Sequence, residues 1–210
     1  MLLQIDRAAT HFDLPRAADA RAHFDRHHWV KLLKLLDGSM LRHVQRELAR
    51  ATFVEVHHTS VTPPSIDVCM EPNALSGLLE LLCNDSGVLR AVESLTGCAP
   101  LVRFNGFVYR LTPGTGHYHN WHNDVLHGRR VAMSINLEAE PYEGGVLMIR
   151  EREHLIEQVD NTGAGDAVLF RIDPMFQHRA APVTRGVKTA FAGWFRSEDP
   201  LRASLARGIA

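Results

Sequence analysis

Apolar residues recur at two different rhythms along the chain. Trp29, Val30, Leu32, Leu33, Leu35 and Leu36 form a run that predicts a helix, closed by Asp37-Gly38-Ser39, where a stop and an N-cap coincide. In the MLRHVQRELAR that follows, Leu41, Val44 and Leu48 make the stripe of an amphipathic helix. A further helical stretch starts near Asn73 and continues through LSGLLELLCNDSGVLRAVESL. It breaks at Asn84-Asp85-Ser86-Gly87, where Asp85 or Ser86 can cap the next helix, and Thr96-Gly97 ends it.

From Leu101 the rhythm becomes that of strands. Val131, Met133, Ile135 and Leu137 alternate with Ala132, Ser134 and Asn136, while Val146–Ile149 and Ala167–Phe170 are compact apolar runs of the kind found in buried strands. Gly144-Gly145 and Gly163-Ala-Gly165 supply turns. The pattern predicts an α+β fold with a mainly β core, helices packed on a β-sandwich. We expect one domain over residues 1–210, with 1–98 mainly helical support, 99–198 the catalytic core and a loosely held tail after about Pro200.

Composition adds exclusions. Lys plus Arg number 23 and Asp plus Glu 24, a balance without the electrostatic footprint of a nucleic-acid or anionic-membrane binder. The first residues mix acids and bases and lack the apolar core of a signal peptide, and no apolar run approaches bilayer length, so a soluble, cytoplasmic protein is expected. Oligomeric state is not legible. Cys69, Cys83 and Cys98 form no CxxC pair and read as buried thiols. The unusual feature is 13 histidines, and their positions direct attention to one stretch.

That stretch is Gly116-His-Tyr-His-Asn-Trp-His-Asn-Asp124. On an extended chain, side chains two apart share a face, so His122 and Asp124 can approach one ion together. His178, in Phe176-Gln-His-Arg between two predicted strands, is the natural third ligand. Two imidazoles and one carboxylate on one side of an ion suit Fe(II), with positions left open for a bidentate 2-oxo acid and dioxygen. Beyond it, the strand Lys188–Phe195 places Lys188, Ala190, Ala192 and Trp194 on one face. If that face is interior, the Lys188 ammonium requires an anion, because burying it unpaired costs several kcal/mol. A dicarboxylic acid chelating the ion through its other end would supply one.

The HxD at 122–124, Gly144-Gly145, the distal His178 and the basic Lys188 together resemble the Fe(II)/2-oxoglutarate-dependent oxygenase superfamily, most closely its prolyl-4-hydroxylase-like branch. The likeness covers roughly residues 99–196. It implies a double-stranded β-helix, or jelly roll, buttressed by the N-terminal helices. It also implies Fe(II), 2-oxoglutarate and O2 as cofactors, and admits ascorbate as reductant. The implied reaction hydroxylates an unactivated C–H bond of an amino acid, peptidyl residue or small metabolite, releasing succinate and CO2. Asp124, where halogenases of this superfamily lose the carboxylate, implies hydroxylation. The family commonly sets a Tyr before a Gly upstream of the HxD to help hold 2-oxoglutarate, and Tyr109 and Tyr118 are the two positions that answer to it, at a different spacing.

Other residues carry both a plain and a functional reading. His117, His119 and His127 read as surface residues or neighbours of the ligands, although His117 and His119 form an HxH that a cupin metal site would use. A non-catalytic, cupin-like metal or ligand sensor is therefore the competing reading, and it leaves Lys188 unexplained. Trp121, Trp194, Phe107 and Phe176 read as core or pocket walls. Arg129 and Arg130 open the strand after the HxD loop, where a guanidinium could clamp a substrate carboxylate. Arg103, Asn105, Trp121, Arg130 and Trp194 are the candidates for contacts to a small-molecule or peptide substrate.

Overall fold

The computed structural model describes residues 1–58, 65–114, 116, 118–126 and 128–199. Its elements run β1 (Leu3–Ile5), β2 (Thr10–Phe12), α1 (Leu14–His27), β3 (Trp29–Leu32), α2 (Gly38–Leu48), β4 (Phe53–His58), β5 (Ser65–Met70), α3 (Ala74–Cys83) and α4 (Ser86–Thr96). The second half continues with β6 (Arg103–Leu111), β7 (Arg129–Asn136), β8 (Glu143–Gly144), β9 (Leu147–Glu151), β10 (His154–Val159), β11 (Ala167–Arg171), β12 (Phe176–Ala180), β13 (Val183–Arg185) and β14 (Lys188–Arg196).

A seven-stranded antiparallel sheet, ordered β3-β11-β7-β14-β6-β5-β4, carries the molecule. A smaller sheet, β10-β9-β12, and the pair β13-β8 complete the jelly-roll architecture. Strand alternation gives the large sheet two unlike faces. Phe104, Val108, Val131, Met133, Ile135, Phe191 and Phe195 enter one apolar core with the helical residues Phe24, Met40, Val44, Leu79, Val92 and Leu95. The opposite face carries Tyr109, Ala132, Ala190 and Lys188.

Helices α2, α3 and α4 start where their caps dictate. Asp37 accepts the Met40 amide at 2.7 Å, Asn73 accepts those of Leu75 and Ser76, and Asp85 accepts those of Gly87 and Val88. In α2, Val44 and Leu48 are buried and Leu41 packs against the same core, as the spacing predicts.

The expected helix over Trp29–Leu36 is instead strand β3 followed by a turn. Val30 and Leu32 point into the core while Leu33 is exposed, and the strand pairs antiparallel with β11, Val30 opposite Leu169. His28 and Lys34, both at positive φ (66° and 55°), turn the chain at its two ends. A short apolar run carries no periodicity decisive enough to choose between strand and helix, and the unpaired edge of β11 makes the choice. Strands β4 and β5 likewise extend the sheet from a half of the chain read as mainly helical. Cys83 is buried and Cys69 and Cys98 half-buried, all free thiols. Among the described residues no helix is long and apolar enough to cross a membrane. The tail after Pro200 lies outside the described residues.

Candidate metal centre and co-substrate cavity

Residues 119–122 run beside β12 as an extra antiparallel segment. The His119 amide donates to the Ala180 carbonyl at 3.2 Å, and His122 and His178 exchange both backbone hydrogen bonds, at 3.1 and 2.8 Å. Residues paired in this way present side chains on the same face, so the register itself brings the two imidazoles together, ring centroids 4.3 Å apart. Asp124 joins them, its Oδ2 3.3 Å from His178 Nε2 and its Oδ1 3.8 Å from His122 Nε2. One donor atom from each of the three lies within 4.8 Å of the others.

Protonation in this cluster suits a cation. His122 Nδ1 donates to the Asn120 carbonyl at 2.6 Å, which leaves Nε2 with its lone pair toward the cluster. Burial, then the neighbouring His178, push the His122 pKa down to about 4, so the ring is neutral at physiological pH. Burial opposes ionisation of Asp124. The hydrogen bond and charge of His178, the charge of His122 and the hydrogen bond from Trp194 outweigh it and hold the carboxyl well below the usual carboxylate range.

Asp124 is fixed from the large sheet. Trp194 Nε1 donates to its Oδ2 at 2.6 Å and Arg129 Nη1 to its Oδ1 at 3.2 Å, while the Arg129 guanidinium lies 3.5 Å from the Trp194 ring centroid. The expected substrate contact Arg130 points elsewhere, its Nε on Ser197 Oγ at 2.9 Å. The cause is an irregularity in the ladder: Phe195 pairs with Val131 but Arg196 with Arg129, so Arg130 is an extra residue that breaks the alternation.

The triad opens on a cavity of about 560 Å³ that also reaches Lys188, Tyr109, Tyr142, Asn136 and Trp121. Lys188 is buried, and its Nζ donates to the Gly145 carbonyl. Burial lowers its pKa to about 8. Among the described residues no carboxylate pairs with it, so a charged Lys188 calls for an anion brought by a ligand. The Gly144-Gly145 turn makes room for it. Gly145 sits at φ +65°, and a Cβ there would lie 3.0 Å from Lys188 Cδ.

Tyr109 is buried in this wall, and burial raises its pKa above the usual phenol range, with Ser134 as a hydroxyl neighbour. Tyr118 does not line the cavity. Neither do Arg103, whose Nη1 is 3.9 Å from Asp199 Oδ1, nor Asn105, whose Oδ1 accepts from Arg196 Nε at 2.6 Å. Trp121, Trp194 and Phe107 line it as expected. His119 Nε2 meets Asp67 Oδ1 at 2.7 Å, which engages it outside the triad, and His117 and His127 lie outside the described residues.

Asp67 and Tyr142 are among the cavity residues missed in the sequence. Asp67 belongs to β5, unread as a strand, so nothing aimed it inward. Tyr142, whose pKa burial and then Glu138 push up to about 12, precedes the Gly144-Gly145 turn by two residues, which is the signal that could have found it.

Residues 106–196 match the family described as the 2OG-Fe(II) oxygenase superfamily. That match runs from β6 to the end of β14. A PKHD-type hydroxylase of Maricaulis maris is 36% identical over 76 residues, which are 35% of this chain and 33% of that protein, so the match spans about a third of the curated relative. A 2OG-Fe(II) oxygenase family oxidoreductase from Burkholderia pseudomallei superimposes over 95% of this chain and 97% of its own, with TM-score 0.71 and 13% identity. The prolyl hydroxylase of Trichoplax adhaerens, solved with a peptide fragment of a hypoxia-inducible factor degradation domain, covers 87% of this chain and 90% of its own, with TM-score 0.66 and 16% identity. At such identities these two solved structures speak for the fold. In this core, similar to that of 2OG-Fe(II) oxygenases, the residues that the fold brings to one cavity are a His-Asp-His cluster and a buried lysine.

Proposed function

We propose that this chain is an Fe(II)- and 2-oxoglutarate-dependent dioxygenase that hydroxylates a C–H bond of an amino acid, peptidyl residue or small metabolite in the cytoplasm. The observation that carries the reading is the buried Lys188, without an acidic partner among the described residues, in the same cavity as His122, Asp124 and His178. The donor set fits Fe(II): two imidazole nitrogens and a carboxylate grouped at one side of the cavity.

Bound iron and co-substrate would supply the oxidising power, O2 giving one atom to succinate and one to the product as CO2 leaves. The protein's own work is placement. His122, Asp124 and His178 hold the cation. Trp194 and Arg129 keep the Asp124 carboxylate aimed at it, and the Asn120 carbonyl sets the His122 tautomer. Lys188 receives the far carboxylate of 2-oxoglutarate, with Tyr109 and Tyr142 as the hydroxyl groups of that end of the cavity. Trp121, Phe107 and Trp194 wall the remaining space and limit water there. No side chain is required to act as acid or base on the substrate. Ascorbate as reductant belongs to the same proposal.

Purified protein given Fe(II), 2-oxoglutarate and O2 is expected to form succinate, slowly without substrate, and His178→Ala to abolish it. Equal succinate formation by that variant rejects the assignment. Anaerobic addition of Fe(II) and 2-oxoglutarate should give a weak visible charge-transfer band, which a zinc or cupin-type binder would not show.

A further inference from the structure

Beyond the triad and Lys188, two cations beside the cavity, Arg150 and Arg179, have no acidic counterpart among the described residues. They stand on the neighbouring strands β9 and β12, where Arg150 is opposite Gln177 and Arg179 opposite Met148. Alternation puts these four side chains on one face of the small sheet, His178 pointing from the other. Trp121, one residue before His122 in the segment beside β12, lays its ring against both guanidiniums, Cζ of Arg150 4.5 Å and of Arg179 4.8 Å from the centroid.

Their hydrogen-bond partners are neutral. Arg150 Nε donates to Gln177 Oε1 at 2.8 Å, and Nε and Nη2 of Arg179 face Met148 Sδ at 3.3 Å. Among the described residues neither meets a carboxylate, although acids are as numerous as bases in the chain. The indole face attracts each cation without neutralising it, and two guanidiniums on one ring repel each other. Their remaining N–H groups have the fork geometry that suits a carboxylate or phosphate. Trp121 and Arg179 also line the cavity, so an anion held here sits at its lip, next to a residue that holds the metal.

We propose that Arg150, Trp121 and Arg179 form a docking site for an anionic group, carboxylate or phosphate, carried by the substrate. This rests on the oxygenase reading and narrows it: the substrate is an acid or a phosphate ester, anchored by its charge at the lip while its reacting carbon enters the cavity.

The test uses full-length protein loaded with Zn(II) and 2-oxoglutarate, so that the triad and Lys188 are already engaged. Methyl phosphate and acetate are titrated separately, with ionic strength held constant by chloride, while the Trp121 indole N–H resonance is followed. A saturable shift with at least one anion is expected, and the tighter of the two tells phosphate from carboxylate. In Arg150→Gln/Arg179→Gln the affinity should fall tenfold or more. If the double variant does not fold, Arg150→Gln alone, whose Nε contacts only Gln177, should weaken binding several-fold. Absence of a saturable shift with both anions overturns the proposal. So does unchanged affinity in a Gln variant whose Trp29 and Trp194 resonances stay native. A missing charge-transfer band with Fe(II) and 2-oxoglutarate would instead remove the oxygenase reading and leave the anion result standing.

Discussion

Along β14, Phe191 and Phe195 enter the core shared with the helices, while Lys188, Ala192 and Trp194, interleaved with them, line the cavity. On the helix side Phe191 and Phe195 act by volume, where what matters is that the space is filled, and the polar residue of that face of the strand, Thr189, donates to Glu138 Oε2. On the cavity side the same strand carries an ammonium, small residues and an indole whose N–H holds Asp124. There burial carries a cost: the Lys188 ammonium is disfavoured by it, and in the proposed function its compensation comes from a ligand. The comparison separates stability from chemistry residue by residue along one strand.

Three substitutions would break or sharpen that contrast. Phe191→Ala, on the packing side, should lower unfolding free energy by about 3–5 kcal/mol in denaturant titration. The charge-transfer band per folded molecule should stay as it was, and a lost band would mean that the two faces are not independent. Lys188→Met, on the cavity side, should do the reverse. The folded pKa of Lys188, about 8, lies below the ordinary 10.5, so at neutral pH the folded state carries a protonation cost that the unfolded chain escapes. Between pH 8 and 10.5 the unfolded chain binds more protons, so this cost fades as pH rises through that window. The ligand-free variant should therefore be more stable than wild type at pH 7, by at most about 3 kcal/mol, with the gap closing toward pH 10. Addition of 2-oxoglutarate with Zn(II) should raise the melting temperature of wild type far more than that of the variant. Equal stabilisation of both would remove Lys188 from the co-substrate site. The smallest effect is expected for Trp194→Phe, which keeps the ring and deletes the hydrogen bond to Asp124. Metal affinity by calorimetry should drop roughly 10- to 100-fold, the usual consequence of losing a partner behind a ligand.

The candidate site was largely legible in the chain. His122 and Asp124 are two residues apart, so local geometry alone lets them share a face. Lys188 alternates with Ala190 and Ala192, which marks it as inward once that face is buried. Asp37, Asn73 and Asp85 announce their helices because a cap acts over two or three residues. The misreadings have the opposite character. β3 looked helical because an apolar run of that length carries no decisive period, and the edge of β11 settled it. Arg130, expected to contact substrate, stands where the ladder slips and meets Ser197 instead. Arg103, Asn105 and Tyr118 were plausible by type, and only the shape of the cavity excludes them.

Sequence by itself therefore marked the candidate ligands, the lysine and the starts of α2, α3 and α4, since each depends on spacings of a few residues that covalent geometry enforces. Tertiary structure alone decided that His122 stands opposite His178, that Trp194 and Arg129 secure Asp124, and that Asp67 and Tyr142 reach the cavity. Those outcomes hinge on pairing between strands far apart in the chain. A one-residue change in such a register reverses every side chain's face, and no local signal records it.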